Sequence, residues 1–268
     1  MTAPVLTVTS LVKKFGRVTA VDGVSFELAP GASLGIVGES GSGKTTTARI
    51  LAGLEEPTSG GVTVVGEQVR GHSRRARLRR ARRLQMIFQD PYGSFDPRLT
   101  VAESVAEPLR LHAPGPAADV RARVDALLDQ VGLSRRAGES RPRELSGGQR
   151  QRAAIARAIA VAPRVLVLDE AVAALDVSVQ AQILALLDDL RRETGISYVF
   201  VSHDLAVVRH ATETAVVMRH GRIVERGPTE QILRDPRHPY TRLLIDSIPG
   251  PGWDLERLAR DRRALDAL

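Results

Sequence analysis

The sequence predicts an α/β fold, with a mostly parallel sheet, an antiparallel β part near the N-terminus and an inserted helical subdomain. Three observations predict it. Short β-like runs alternate with helical patterns along the chain, as in strands joined by crossover helices. The first two β-like runs alternate apolar and polar residues while several later ones are apolar throughout, which separates half-wet antiparallel strands from strands covered on both faces. Residues from about 90 to 160 are helix-rich, whereas the flanks are mixed.

Val5 to Thr9 and Val24 to Leu28 are the alternating pair. Ser33 to Val37 is a compact apolar run ending at Gly38, and the helical segment Lys44 to Ala52 follows and stops at Gly53. Val62 to Val65 is a short strand. Leu84 to Phe88, Val165 to Leu168 and Ser197 to Val201 read as buried strands. Val216 to Met218 and Arg222 to Glu225 flank His220-Gly221, a hairpin signal. Helices are expected over Val101 to Leu111 and Ala117 to Val131, parted by Pro114-Gly115-Pro116, and over Gly148 to Val161 and Ser178 to Glu193. The expected division is a main domain over residues 1–234, with the helical subdomain at about 90–160, and a short C-terminal tail over 235–268. That tail includes Pro249 to Gly252 and the lone Trp253.

A chain of 268 residues can bury a full core, and 43% hydrophobic with 26% charged residues argues against a disordered or fibrous protein. Ala153 to Leu168, the most apolar stretch, is cut by Arg157 and Arg164, so no membrane-spanning helix is expected. Met1 to Val5 shows no basic region before an apolar run, so no secretory signal is expected. With no Cys, disulfides, thiolate metal sites, iron–sulfur clusters and cysteine nucleophiles are excluded, and the expected place of work is the cytoplasm. The net charge of +7 is carried by Arg: of 38 basic residues only Lys13, Lys14 and Lys44 are Lys. Arg70 to Arg83 is a dense arginine stretch that reads either as a polyanion-binding patch or as a solvated basic helix face. An aromatic content of 3% offers little for base stacking, so nucleic acid is not the expected partner.

Gly38 to Thr45 fits the spacing GxxxxGK[ST] and lies between a strand and a helix, the context a phosphate loop requires. The phosphate-binding candidates are Gly38, Glu39, Ser40, Gly41, Ser42, Gly43, Lys44, Thr45 and Thr46. Glycines let successive N–H groups turn inward, and the helix N-terminus adds positive potential. Lys44 would reach the β- and γ-phosphates and the Thr45 hydroxyl would ligate Mg²⁺. The core is thus a P-loop nucleotide-binding core, with ATP and Mg²⁺ expected.

Asp169 and Glu170 end the apolar run that starts at Val165. By themselves they are an ordinary strand-end acid pair. Beside a phosphate loop, Asp169 would hold Mg²⁺ and Glu170 would take a proton from the attacking water. Ser146 is a plausible N-cap followed by Gly147, Gly148 and Gln149. Taken alone this is an ordinary helix start. With a phosphate loop in the same chain it suggests a second anion site, and two chains sharing each nucleotide.

Together these motifs resemble the ATP-binding subunit of an ABC transporter, in the family's order and spacing over residues 5 to about 230. The resemblance implies that Gln89 is the Q-loop glutamine, a ligand of nucleotide and metal. It makes Ala174-Leu175-Asp176 the D-loop, His203 the switch histidine acting with Glu170 and Lys44 in catalysis, and Phe15 the aromatic that stacks on adenine. Gln89 to Arg98 resembles the Q-loop of the oligopeptide/dipeptide/nickel importer ATPases, and Arg237 to Leu244 resembles a short tail motif of that group. Two different ATPase subunits often pair there. One carries a cysteine cluster, so this chain resembles the other. Ala173 departs from the pattern, where a serine often bonds across the dimer. The resemblance implies an ATPase that couples ATP hydrolysis to import of peptides or a related small solute. It would work peripherally at the cytoplasmic face of the membrane. Its partners would be integral membrane permease subunits, a second ATPase subunit (same or sister chain) and, indirectly, a solute-binding protein. A non-transport ABC ATPase, in phosphonate metabolism or linked to nucleic acid, is the alternative.

Overall fold

A computed structural model describes residues 3–69, 73–90, 93–112, 115–248 and 254–266. Met1, Thr2, Arg70 of the basic stretch, Pro91 and Tyr92 of the Gln89 segment, Pro114, and Pro249 to Trp253 lie outside the described residues.

The chain runs β1 (Leu6–Phe15), β2 (Val18–Leu28), β3 (Ser33–Val37), α1 (Lys44–Ala52), β4 (Ser59–Val64), β5 (Glu67–Gln68), α2 (Arg74–Arg83) and β6 (Leu84–Ile87). The helix-rich middle follows: α3 (Val101–His112), α4 (Ala117–Gln130), α5 (Arg135–Glu139), a 3-10 turn (Pro142–Glu144) and α6 (Gly147–Ile159). Then come β7 (Val165–Asp169), α7 (Val177–Thr194), β8 (Ser197–Ser202), α8 (Leu205–Ala211), β9 (Thr214–Arg219) and β10 (Arg222–Pro228), and last α9 (Thr229–Arg234), α10 (Pro239–Asp246) and α11 (Leu255–Asp266).

Two sheets form, as the fold class expected. One is antiparallel in the order β2-β1-β4-β5; the other runs β10-β9-β3-β8-β7-β6. In the second, neighbours from β9 to β6 are parallel and only β10 pairs antiparallel. Its strands show why their sequences are apolar throughout. Val165, Val167, Val199 and Val201 join the core under the antiparallel sheet and α1, while Leu166, Leu168, Tyr198 and Phe200 face the helices of the middle region. Side chains that alternate with period two therefore find a core on both sides. Full burial of each such Leu or Val contributes about 1.5–3 kcal/mol.

β1 and β2 run well beyond the expected strands. Register shifts after Val8 and around Lys13, with Ser10 at a φ of 44°, reset the alternation that marked the strand ends in the sequence. α3 continues through Pro108. The arginine stretch is helical from Arg74, capped by Ser73 accepting from the Ala76 amide, with no buried residue on α2. Exposed arginines on such a helix are common to both readings of the stretch. The residues of the expected tail are packed: Tyr240 and Leu265 share a core with Val37, Leu205, Val208 and Val217. Among the described residues no helix is long and apolar enough to cross a membrane.

Candidate active site

The loops that follow β3, β8, β7 and β6 leave the same edge of adjacent parallel strands, where α/β sheets place ligands. β3 delivers Gly38 through Gly43 to the start of α1. Gly38 has φ 150° and Gly43 φ 101°, and a Cβ on either would run into a backbone carbonyl, of Met218 or Ala20 respectively. Only glycine fits both conformation and space there. The β9–β10 turn braces the loop through the Gly221 amide, which donates to the Ser42 carbonyl at 3.0 Å.

Lys44 opens α1 and is buried; its Nζ donates to the Gly38 and Glu39 carbonyls, both at 2.8 Å. Burial pushes its pKa down against the opposing pull of the Glu170, Asp169 and Glu39 carboxylates. Thr45 Oγ1 donates to Asp169 Oδ1 at 3.3 Å. Asp169, at the end of β7, is 5% exposed, and burial, helped by the Glu170 charge, raises its carboxyl above the ordinary range although Thr45 pulls it down. A hydroxyl beside a desolvated carboxylate is a hard-oxygen donor set suited to Mg²⁺. Among the described residues no three His, Cys, Asp or Glu side chains cluster into a metal cage. Mg²⁺ fits that pattern, since it takes one or two protein oxygens and completes its shell with phosphates and water.

A raised folded-state pKa means that the ionised Asp169 destabilises the nucleotide-free fold above that pKa, and that the cost vanishes as pH falls below the unfolded value. Asp169→Asn should therefore melt higher than wild type without nucleotide at neutral pH, with the gap closing in acid. Thermal melts across pH check this. A variant that melts lower at every pH would overturn the burial reading.

Glu170 follows at φ 49°, a left-handed conformation costly for a residue with a Cβ, held by its amide on the Val201 carbonyl at 2.8 Å. That turn aims the carboxylate at two neighbours. Gln89 Nε2, just past β6, donates to Oε2 at 2.8 Å, and His203 Nδ1, just past β8, lies 3.0 Å from Oε1. With Glu170 ionised, that contact requires the proton of His203 on Nδ1. The structure thus brings Lys44, Thr45, Asp169, Glu170, Gln89 and His203 to one edge. Gln89, expected at the metal, here holds Glu170.

Two further expected groups carry other contacts. Phe15 ends β1 with an exposed ring, and Lys13 Nζ lies 4.7 Å from its centroid. Ser146 caps α6 through a reciprocal box: its Oγ accepts from the Gln149 amide at 3.2 Å and its amide donates to Gln149 Oε1 at 2.9 Å. Ser146 still has its hydroxyl proton to donate. Gly147 and Gly148 pack on Leu175 and Val179, and among the described residues no hydrogen bond joins Ser146 through Gln149 to residues 38–46.

Sequence reasoning missed Tyr240 and Arg262. The Glu39 amide donates to Tyr240 Oη at 3.0 Å, and the Glu39 carboxylate pairs with Arg262 at 2.8 Å. The one signal was the segment Arg237 to Leu244, which shows nothing in sequence of where it docks.

Residues 21–173 match the family described as ABC transporter, and residues 224–267 match the oligopeptide/dipeptide transporter C-terminal region. The chain is 48% identical over 258 residues to the glutathione import ATP-binding protein GsiA of Escherichia coli K12, covering 92% of this chain and 41% of that protein. It therefore spans about two fifths of the length of that relative. It is 46% identical over 244 residues to the oligopeptide transport ATP-binding protein OppF of Bacillus subtilis 168, covering 90% and 80% respectively. Among solved structures, a dimeric ATP-binding cassette in a post-hydrolysis state, bound to ADP and Pi, superposes with a TM-score of 0.75 at 30% identity over 84% of this chain and 98% of that one.

Proposed function

The chain belongs to the ABC transporter family, and from that premise we propose that it is an ATPase subunit driving import of peptides or a related small solute through separate membrane subunits. One observation carries the enzymatic part: the Glu170 carboxylate is fixed by Gln89 and His203 next to the Asp169–Thr45 pair and the Lys44 ammonium. The relatives named for peptide and glutathione import support the transport part.

In this reading the loop amides and the α1 N-terminus bind the β- and γ-phosphates, and Lys44 turns its charge onto them. Thr45 and Asp169 hold Mg²⁺, which when bound neutralises charge on the transferring phosphoryl group. Glu170 orients the water in line and accepts its proton. His203 fixes the Glu170 carboxylate and faces the γ-phosphate, while Gln89 links phosphate occupancy to the loop that follows β6. Phe15 stacks on the adenine. Ser146 and the glycines behind it complete the partner's site in a dimer of this chain or with a sister chain. Permease subunits would engage it at the cytoplasmic face of the membrane, with a solute-binding protein reached only through them.

Purified protein should bind Mg-ATP, and Lys44→Ala should weaken that binding about ten- to a hundredfold, the worth of hydrogen bonds to a charged group. A nucleotide titration checks it, and unchanged affinity would reduce residues 38–45 to a turn. For transport, a strain lacking the chain should lose uptake of a labelled dipeptide or of glutathione and regain it with the wild-type chain only.

A further inference from the structure

We propose that the C-terminal segment clamps the phosphate loop, with Tyr240 and Arg262 as positioning residues that act on nucleotide affinity through Glu39; this rests on the nucleotide-site reading above. Glu39 is the second residue of the loop and is held from three sides. Its amide donates to Tyr240 Oη at 3.0 Å, its carbonyl accepts from Lys44 Nζ at 2.8 Å, and its carboxylate meets Arg262 at 2.8 Å. Two of the three anchors come from more than 200 residues downstream.

The anchors are themselves fixed. α10 starts with Pro239 at its first position and His238 as cap, Nδ1 accepting from the Tyr240 amide at 3.1 Å. The Arg237 and His238 amides donate to the two carboxylate oxygens of Glu225 on β10, at 2.9 and 3.0 Å. The Tyr240 ring is 3% exposed and packs with Val37, the last residue before the loop, and with Leu265 of α11. The Arg219 guanidinium lies 5.3 Å from the ring centroid and donates to the Leu265 carbonyl at 3.2 Å, tying α10 and α11 to β9. The segment Arg237 to Leu244 thus supplies a cap, a proline start and a buried phenol whose hydroxyl emerges at one loop amide.

The physical consequence follows from the glycines. Gly38, Gly41 and Gly43 all sit at positive φ, and such a loop has much freedom to lose when it closes on phosphate. Fixing Glu39 from outside removes part of that loss beforehand, and preorganisation of this kind appears as affinity. Neither Tyr240 nor Arg262 lies among the groups around the Glu170 carboxylate, so their effect belongs to binding and not to the hydrolytic step.

The test uses the full chain: wild type, Tyr240→Phe, Arg262→Gln and Arg262→Lys, with Mg-ATP and ADP titrations, KM and kcat, and hydrogen exchange over residues 34–46. Tyr240→Phe keeps the ring and removes the hydroxyl that accepts from the Glu39 amide. It should raise the nucleotide Kd and the ATP KM about three- to tenfold, leave kcat near wild type and speed exchange in the loop. Arg262→Gln, at an exposed pair, should raise Kd up to about fivefold, with Arg262→Lys returning toward wild type. Wild-type Kd and loop exchange in both Tyr240→Phe and Arg262→Gln would overturn the clamp, even if melting temperatures fell. Should Tyr240→Phe not fold, the exposed Arg262→Gln decides alone, and wild-type loop exchange in it would overturn the clamp. A wild-type chain that fails to bind Mg-ATP would overturn the nucleotide reading and the clamp with it.

Discussion

Glu170→Gln should hold Mg-ATP at near wild-type affinity and turn it over about 10²–10⁴ times more slowly, the range for losing a positioned general base. The side chain sits one residue beyond Asp169, in a backbone conformation that aims it away from the buried pair and toward two partners. The amide keeps the size of the carboxylate but has only one acceptor oxygen, while Gln89 Nε2 and His203 Nδ1 both approach it. His203 can adapt by moving its proton to Nε2 and accepting from the new amide, whereas Gln89 keeps its donor. The fold and the phosphate contacts should therefore survive while the proton acceptor is lost. The variant should accumulate an ATP-bound state, with a dimer visible by size-exclusion chromatography in Mg-ATP. Single-turnover hydrolysis at wild-type rate would sink the assignment of Glu170, whatever happened to binding.

Legibility in the sequence tracks how local each constraint is. The phosphate loop is eight consecutive residues whose glycines, lysine and threonine each have a separate reason to be there. Asp169 and Glu170 were readable because a fully apolar run ended in them. That Gln89 and His203 belong to the site was reachable only through resemblance, and their convergence on Glu170 not even so, since what joins them is strand order: β6, β7 and β8 are neighbours although residues 89, 170 and 203 are far apart in the chain. The full length of β1 was hidden by its bulges, and β4 begins at Ser59, ahead of the expected Val62, through Gly60 and Gly61, which carry no side chain to show an alternation. Gly60 packs against the Ser10 carbonyl at that same irregularity. The Glu39–Tyr240 contact was not legible at all. Its only local trace is an apolar helix start after His238-Pro239, and no period or spacing tells a buried phenol that it will meet an amide 201 residues upstream.

Mixing two inactive variants should restore activity if each nucleotide is shared between chains. Lys44→Ala damages the phosphate loop and Ser146→Arg blocks the α6 N-terminus, so each pure variant carries one lesion in every composite site. In a mixed dimer both lesions fall in one site and the other is intact. Random pairing of equal amounts should then recover about a quarter of wild-type turnover, provided that one intact site works alone. Two features of the chain motivate the test. Ser146 is exposed, and among the described residues no hydrogen bond ties it or Gln149 to residues 38–46 of its own chain. Val177, just past the Ala174 to Asp176 segment, is 82% exposed and so open to a facing chain. Ala173 is exposed too and lacks the hydroxyl that the family resemblance places across such a dimer, so recovery in the mixture also tests whether one intact site turns over without its twin. Turnover per chain should also climb with protein concentration as dimers assemble. Concentration-independent turnover by a monomer would refute the shared site. No turnover alone but full turnover with a sister ATPase would keep the shared site and move its second half to that sister.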